Sequence, residues 1–157
     1  MKRDQNIVPL SRDHHSGLLF CWKIRQGLML HADKTRIKNY VVYFWEHHLL
    51  NHFKEEENIL FILKDDELIQ KAVDDHQQIE HLIDTVKQED ADVDIYQSLA
   101  TLVDNHIRYE ERQLFPYLEN ALSQNQLMAI GEKLLELHAS EKADNYEDHF
   151  WTKSNKK

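Results

Sequence analysis

His52-Phe-Lys-Glu-Glu56-Glu57-Asn-Ile-Leu60-Phe61 and His106-Ile-Arg-Tyr-Glu110-Glu111-Arg-Gln-Leu114-Phe115 are two copies of one pattern, H-x3-E-E-x2-L-F, set 54 residues apart. Residues four apart lie above one another on a helix face, so His52 can grip one ion with Glu56, and His106 with Glu110. An Asp-His pair precedes each copy by one helix: Asp13-His14 and Asp75-His76. The chain reads as two helical hairpins, each giving one histidine from its first helix and a His/Glu pair from its second. A pseudo-two-fold axis between the hairpins would bring His14, His52, Glu56, His76, His106 and Glu110 together inside a bundle.

Apolar periodicity around these motifs supplies the helices. Leu10, His14, Leu18, Cys21, Ile24 and Leu28 share one face of a first helix running to about Ala32. Thr35 is the expected N-cap of a second helix reaching about Lys64, with Val42, Trp45, Leu49, His52, Glu56, Ile59 and Leu63 on its stripe. Asp65 and Asp66 form a turn and cap. A third helix to about Gln88 carries Ile69, Val73, His76, Glu80 and Ile83 inward. After an acidic loop at 89–94, a fourth begins near Val93 or Asp94 and aligns Leu99, Leu102, Val103, His106, Glu110 and Leu114. Pro116 lacks a backbone donor and is expected to end or kink it. Ser123 caps a short fifth helix, Gln124 to about His138, and the tail ends in a frayed Lys153–Lys157 run, with Phe150 and Trp151 available to dock. Short connections imply antiparallel neighbours, hence an all-α, up-down-up-down four-helix bundle with a fifth C-terminal helix. No linker divides 1–157, so one domain is expected, with its core at about 10–120 and an appendage at 121–157.

Composition agrees. Three glycines and two prolines in 157 residues, without strand-like alternation, favour helices. A net charge of −9 argues against nucleic acid or an anionic membrane as partner. The single Cys21 excludes an intramolecular disulfide and a thiolate zinc site. With no apolar leader and no spanning run, a cytoplasmic protein is the expectation.

Eleven histidines are the compositional anomaly. Six of the motif residues sit on apolar stripes, where each unpartnered imidazole or carboxylate would cost about 1–3 kcal/mol against a domain stability of about 5–15 kcal/mol. A shared metal resolves that cost. Four imidazoles and two carboxylates suit iron, manganese or zinc, and the absence of thiolate disfavours iron–sulfur clusters and copper(I).

With these residues in place, the chain from about Leu10 to Leu118 resembles the hemerythrin-like, or HHE cation-binding, family. The resemblance implies a di-iron centre, oxo- or hydroxo-bridged, that meets dioxygen, nitric oxide or peroxide, with His14, His52, Glu56, His76, His106 and Glu110 as its metal ligands. Two departures stand out. Oxygen-carrying hemerythrins have a second histidine four residues after the third-helix one, where this chain has Glu80. Their last carboxylate falls five residues after the fourth-helix histidine, which would be Glu111; the first repeat favours Glu110. A carboxylate in place of imidazole stabilises ferric iron, so a redox or sensing site is expected rather than a reversible carrier. Relatives that repair iron–sulfur clusters carry a cysteine-bearing N-terminal segment that is not seen here.

The remaining residues read as background. His15 is a flank residue, and His48, one turn before His52, supports it or is wet. His81 points about 100° from Glu80, Cys21 is a small core residue, and Trp45 and Tyr109 are packing. His31, His47, His138 and His149 form no pattern, and the acidic runs 55–57 and 90–94 are solvated apart from Glu56. No general base or nucleophile is legible, so enzymatic activity stays open. Beside the di-iron reading stand metal storage or conformational sensing with zinc or manganese, and a metal-free helical interaction module.

Overall fold

The computed structural model describes residues 2–88, 90–138 and 144–153. It is helical throughout, with no strand among the described residues. Helix α1 spans Val8–Met29, with Pro9 in its first turn, where no intrahelical donor is needed. Helix α2 runs without a break through Lys34–Phe44, a wide π turn at Trp45–Leu49, Leu50–Glu55 and a second π turn at Glu56–Leu60. Helix α3 is Glu67–Gln88. Helix α4 joins Val93–Tyr109, a π turn at Glu110–Leu114 and Phe115–Ala121, and α5 is Gln124–His138.

The caps follow side-chain chemistry. Asp33, not Thr35, caps α2, its carboxylate accepting from the Thr35 N–H. Asp66 accepts from the Leu68 and Ile69 N–H groups at 2.9 and 3.2 Å, while Asp65 takes the left-handed turn at φ 60°. Asp92 caps α4. Ser123 and Gln126 exchange bonds at the start of α5, the Gln126 N–H donating to Ser123 Oγ and the Ser123 N–H to Gln126 Oε1.

Besides the cap of α2, three expectations change, all for backbone reasons. Helix α2 stops at Leu60 instead of Lys64. Each π turn inserts an extra residue, so the apolar stripe slips by one: Val41 and Leu60 are buried where Val42 and Ile59 were expected. Pro116 neither ends nor breaks α4, because the π turn rearranges the bonds around it. The Phe115 N–H reaches back to Glu110 O, which leaves Glu111 O with only the donorless Pro116 as its next partner. Arg3 supplies the missing donor, its Nη2 lying 2.9 Å from Glu111 O.

Helix α1 packs against α4, α4 against α3, α3 against α2 and α2 against α1, while α5 lies on α1 and the end of α2. At Gly17 the side chain of Ile107 covers α1, and a Cβ there would sit 2.6 Å from Ile107 Cδ1. Two apolar clusters result. One gathers Phe20, Ile24, Tyr40, Phe44, Ile83, Leu99 and Val103; the other gathers Leu10, Leu60, Ala72, Leu114, Phe115 and Leu134. The C-terminal segment docks on the first, burying Phe150 and Trp151. Of the Lys153–Lys157 run, all but Lys153 lies outside the described residues, as does Glu89 of the acidic loop. Between the two clusters lies a polar layer.

Candidate metal centre

That layer holds all six motif residues. His14 from α1, His52 and Glu56 from α2, His76 from α3, and His106 and Glu110 from α4 are each at most 5% exposed. Each glutamate opens a π turn, so both copies of the E-E-x2-L pattern fold into the same local distortion. Wide turns of this kind cluster at functional sites because they re-aim side chains.

Every imidazole presents Nε2 to the two glutamates. His52 Nε2 is 3.0 Å from Glu56 Oε2, His76 Nε2 is 3.0 Å from Glu56 Oε1, His14 Nε2 is 2.8 Å from Glu110 Oε1, and His106 Nε2 is 3.3 Å from Glu110 Oε2. Cross-contacts tie the halves: His14 Nε2 is 3.6 Å from Glu56, and His76 Nε2 is 3.9 Å from Glu110. Two groups emerge, His14–His52–Glu56–Glu110 and His76–His106–Glu56–Glu110, and both glutamates belong to each. Despite their closeness, Nε2 of His52, His76 and His106, both oxygens of Glu56 and Oε2 of Glu110 are buried without a hydrogen-bond partner. Donors and acceptors this near and this badly aligned converge on points between them rather than on each other. Buried polar atoms are rarely left so, and a cation at each point would satisfy them.

The outward nitrogen of every imidazole meets a carboxylate. His52 Nδ1 is 2.9 Å from Asp13, His106 Nδ1 is 3.0 Å from Asp75, and His14 and His76 Nδ1 are both 2.6 Å from their partners, Glu111 and Glu57. The pseudo-symmetry is complete. Each Asp of an Asp-His pair holds the histidine of its own hairpin's second helix, and the second glutamate of each E-E pair holds the first-helix histidine of the other hairpin. Such a carboxylate keeps the proton on Nδ1 and the lone pair of Nε2 facing inward.

Electrostatics follow from burial and charge. Burial alone would push His52 below its ordinary 6.5, yet Glu56 and Asp13 hold it at about 10. Burial opposes His106 likewise, and Glu110 and Asp75 hold it at about 9. Burial would raise Glu56, but His52, His14 and His76 keep it well below the usual carboxylate range. Glu111, opposed by burial, is drawn down to about 2 by His14, Ser11 and Arg3.

Glu110, not Glu111, turns inward, while Glu111 backs His14. Glu80 is corrected: it is exposed, because the buried stripe of α3 runs Ile69, Ala72, His76, Ile79, Ile83 and leaves position 80 on the wet flank. Glu80 therefore adds no carboxylate to the buried layer. His15, His31, His47, His81 and His149 are exposed. Cys21 is core, its thiol pushed up to about 12 by burial. In the 55–57 run Glu57 is exposed as expected, though its carboxylate also meets His76, while Glu55 is half-buried, 2.7 Å from His138 Nε2. Of the four outer acids, Glu111 was expected only as an alternative to Glu110 and the other three had no role, although all four stand inside the repeated motifs. A cavity of about 500 Å³ opens beside the layer, walled by Asp13, His14, His48, His52, Glu55 and His106 among others.

The sequence model of the family described as Hemerythrin HHE cation binding domain matches residues 23–118, a span with five of the six inward residues that stops short of His14. No curated protein and no solved structure matches the chain.

Proposed function

The chain belongs to the hemerythrin HHE cation-binding domain family, and from that premise we propose that it is a non-haem di-iron protein that handles or senses dioxygen, nitric oxide or redox status. The observation that carries the reading is the pair of four-residue groups sharing Glu56 and Glu110. His14 and His52 would hold one ion, His76 and His106 the other, with both carboxylates bridging, in a bundle whose four long helices run up-down-up-down. Bound there, a pair of irons supplies reversible one- and two-electron chemistry toward small diatomic ligands.

The chain's own residues set the terms. Asp13, Glu57, Asp75 and Glu111 orient the four imidazoles. Together with Glu56 and Glu110 they place six carboxylates on the centre. Two divalent ions leave that set with net negative charge, and two trivalent ions neutralise it, so the surroundings favour the ferric side. These acids, and not Glu80, stabilise ferric iron, which supports a redox or sensing role over reversible carriage. Phe53 and Phe115, stacked on His76 and His14 at centroid distances of 3.8 and 5.2 Å, shield the rings from water.

Metal analysis with ultraviolet–visible spectra before and after air tests the reading. About two irons per chain and new charge-transfer bands on oxidation are expected. One zinc, or a colourless protein unchanged by air, would replace redox chemistry with storage or structural metal. No bound metal and no thermal shift on anaerobic Fe(II) addition would leave a metal-free module.

A further inference from the structure

Outside the centre, one other group of side chains shares its donor chemistry. Asp13 on α1, Glu55 on α2 and His138 at the end of α5 bring two carboxylate oxygens and an imidazole nitrogen within 4.8 Å of one another. His138 Nε2 is 2.7 Å from Glu55 Oε1 and 3.8 Å from Asp13 Oδ2, with side-chain exposures of 13%, 17% and 18% for His138, Glu55 and Asp13. A solvated acidic face would be far more open. Asp13 and Glu55 also wall the cavity that reaches His14 and His52, and the same Asp13 oxygen lies 2.9 Å from His52 Nδ1.

The internal repeat offers a control within the molecule. The twin of Asp13 is Asp75, and the twin of Glu55 is Tyr109. On that side the Lys71 ammonium sits 3.1 Å from Asp75 Oδ2, and the Tyr109 hydroxyl donates to Leu68 O at 2.6 Å. A lysine thus supplies the cation beside Asp75. Beside Asp13 and Glu55, no lysine or arginine pairs with either acid among the described residues, and a second carboxylate replaces the tyrosine.

We propose that Asp13, Glu55 and His138 form a third site for a divalent cation, weaker than the centre, which captures ions at the cavity mouth and passes them inward beside His52. Three protein donors leave the other coordination positions to water, which suits exchangeable Fe(II), Mn(II) or Zn(II). Sharing Asp13 with His52 keeps the ion loosely held. The passage inward rests on the di-iron reading; the site itself does not.

Mn(II) titration of the full chain, with free ion counted by electron paramagnetic resonance, tests both parts. Wild type is expected to show a tight class and one weak ion. His138→Ala and Glu55→Gln should each weaken the weak class at least tenfold, keep the tight class, and slow filling of the centre several-fold under limiting metal. Glu110→Gln should lose the tight class and retain the weak ion, so failure of the centre is distinguishable from failure of this site. Absence of a weak class in wild type, or its survival in both His138→Ala and Glu55→Gln, overturns the site; unchanged filling rates overturn the passage.

Discussion

Six buried titratable side chains are tolerable at one level only if each has its partner, and the partners here are of two kinds. The inward atoms face each other across positions fit for cations, and the outward Nδ1 atoms face Asp13, Glu57, Asp75 and Glu111. Replacing Asp75 with Asn keeps the shape but weakens the hold on His106. Metal affinity should fall about 10–100-fold while the metal-free fold persists, as measured by competition with a chromophoric chelator. The inward residues were legible in the sequence because four-residue spacing on an apolar stripe is a one-helix property. The outer acids were not, since each acts on a histidine of another helix, and only the fold says which one. Glu80 failed for a related reason: spacing from His76 marked it as inward, but its position is at the edge of a stripe whose centre lies at Ile79 and Ile83.

At the scale of the helix, the π turns explain both the motif and its misreading. H-x3-E-E-x2-L-F is a helix that widens at its first glutamate, and an ideal 3.6-residue period therefore drifts by one position beyond it. The helix count and the caps at Asp66 and Ser123 survived that drift; the cap of α2, which is Asp33 in place of Thr35, the end of α2 and a stop at Pro116 did not. Arg3 is the compensation for the wide turn in α4, bonded to Glu111 O and paired with Glu119 at 3.1 Å. Arg3→Ala should destabilise the protein by about 1–3 kcal/mol through the orphaned carbonyl and lost pairing, read from urea unfolding. Adding Pro116→Ala returns a backbone donor near that carbonyl, so the double variant should lose less than Arg3→Ala alone. In α1, Gly17→Ala sets a methyl against the flexible end of Ile107, which can move aside, while Ala favours a helix interior over Gly by about 0.8–1 kcal/mol, so the thermal midpoint should change little.

The whole molecule is two apolar clusters separated by a charged layer, and its stability is linked to pH and metal through that layer. In the metal-free protein, His52 and His106 are held at about 10 and about 9, above their unfolded 6.5. The stability they contribute is complete below pH 6.5 and is lost as pH rises through 9 to 10. Metal-free protein should therefore unfold at progressively lower urea between pH 6.5 and 10. Metal-loaded protein should change far less, since its imidazoles need no proton, and loading should release protons at neutral pH. At the far end, Lys23 joins the docked C-terminal segment to the bundle, its Nζ 3.2 Å from Asp144 and 4.2 Å from the Trp151 ring centre. Lys23→Ala leaves Asp144 with the Tyr40 hydroxyl, which donates to it at 2.6 Å, and should cost about 1.5–3 kcal/mol while exposing the segment to protease.

The proposed pair of ions joined by Glu56 and Glu110 is tested most directly by X-ray absorption at the iron edge on anaerobically loaded protein. An iron scatterer within about 3.5–4 Å of each iron, with mixed nitrogen and oxygen neighbours, is the result expected. Iron bound with no metal neighbour at that distance would contradict it.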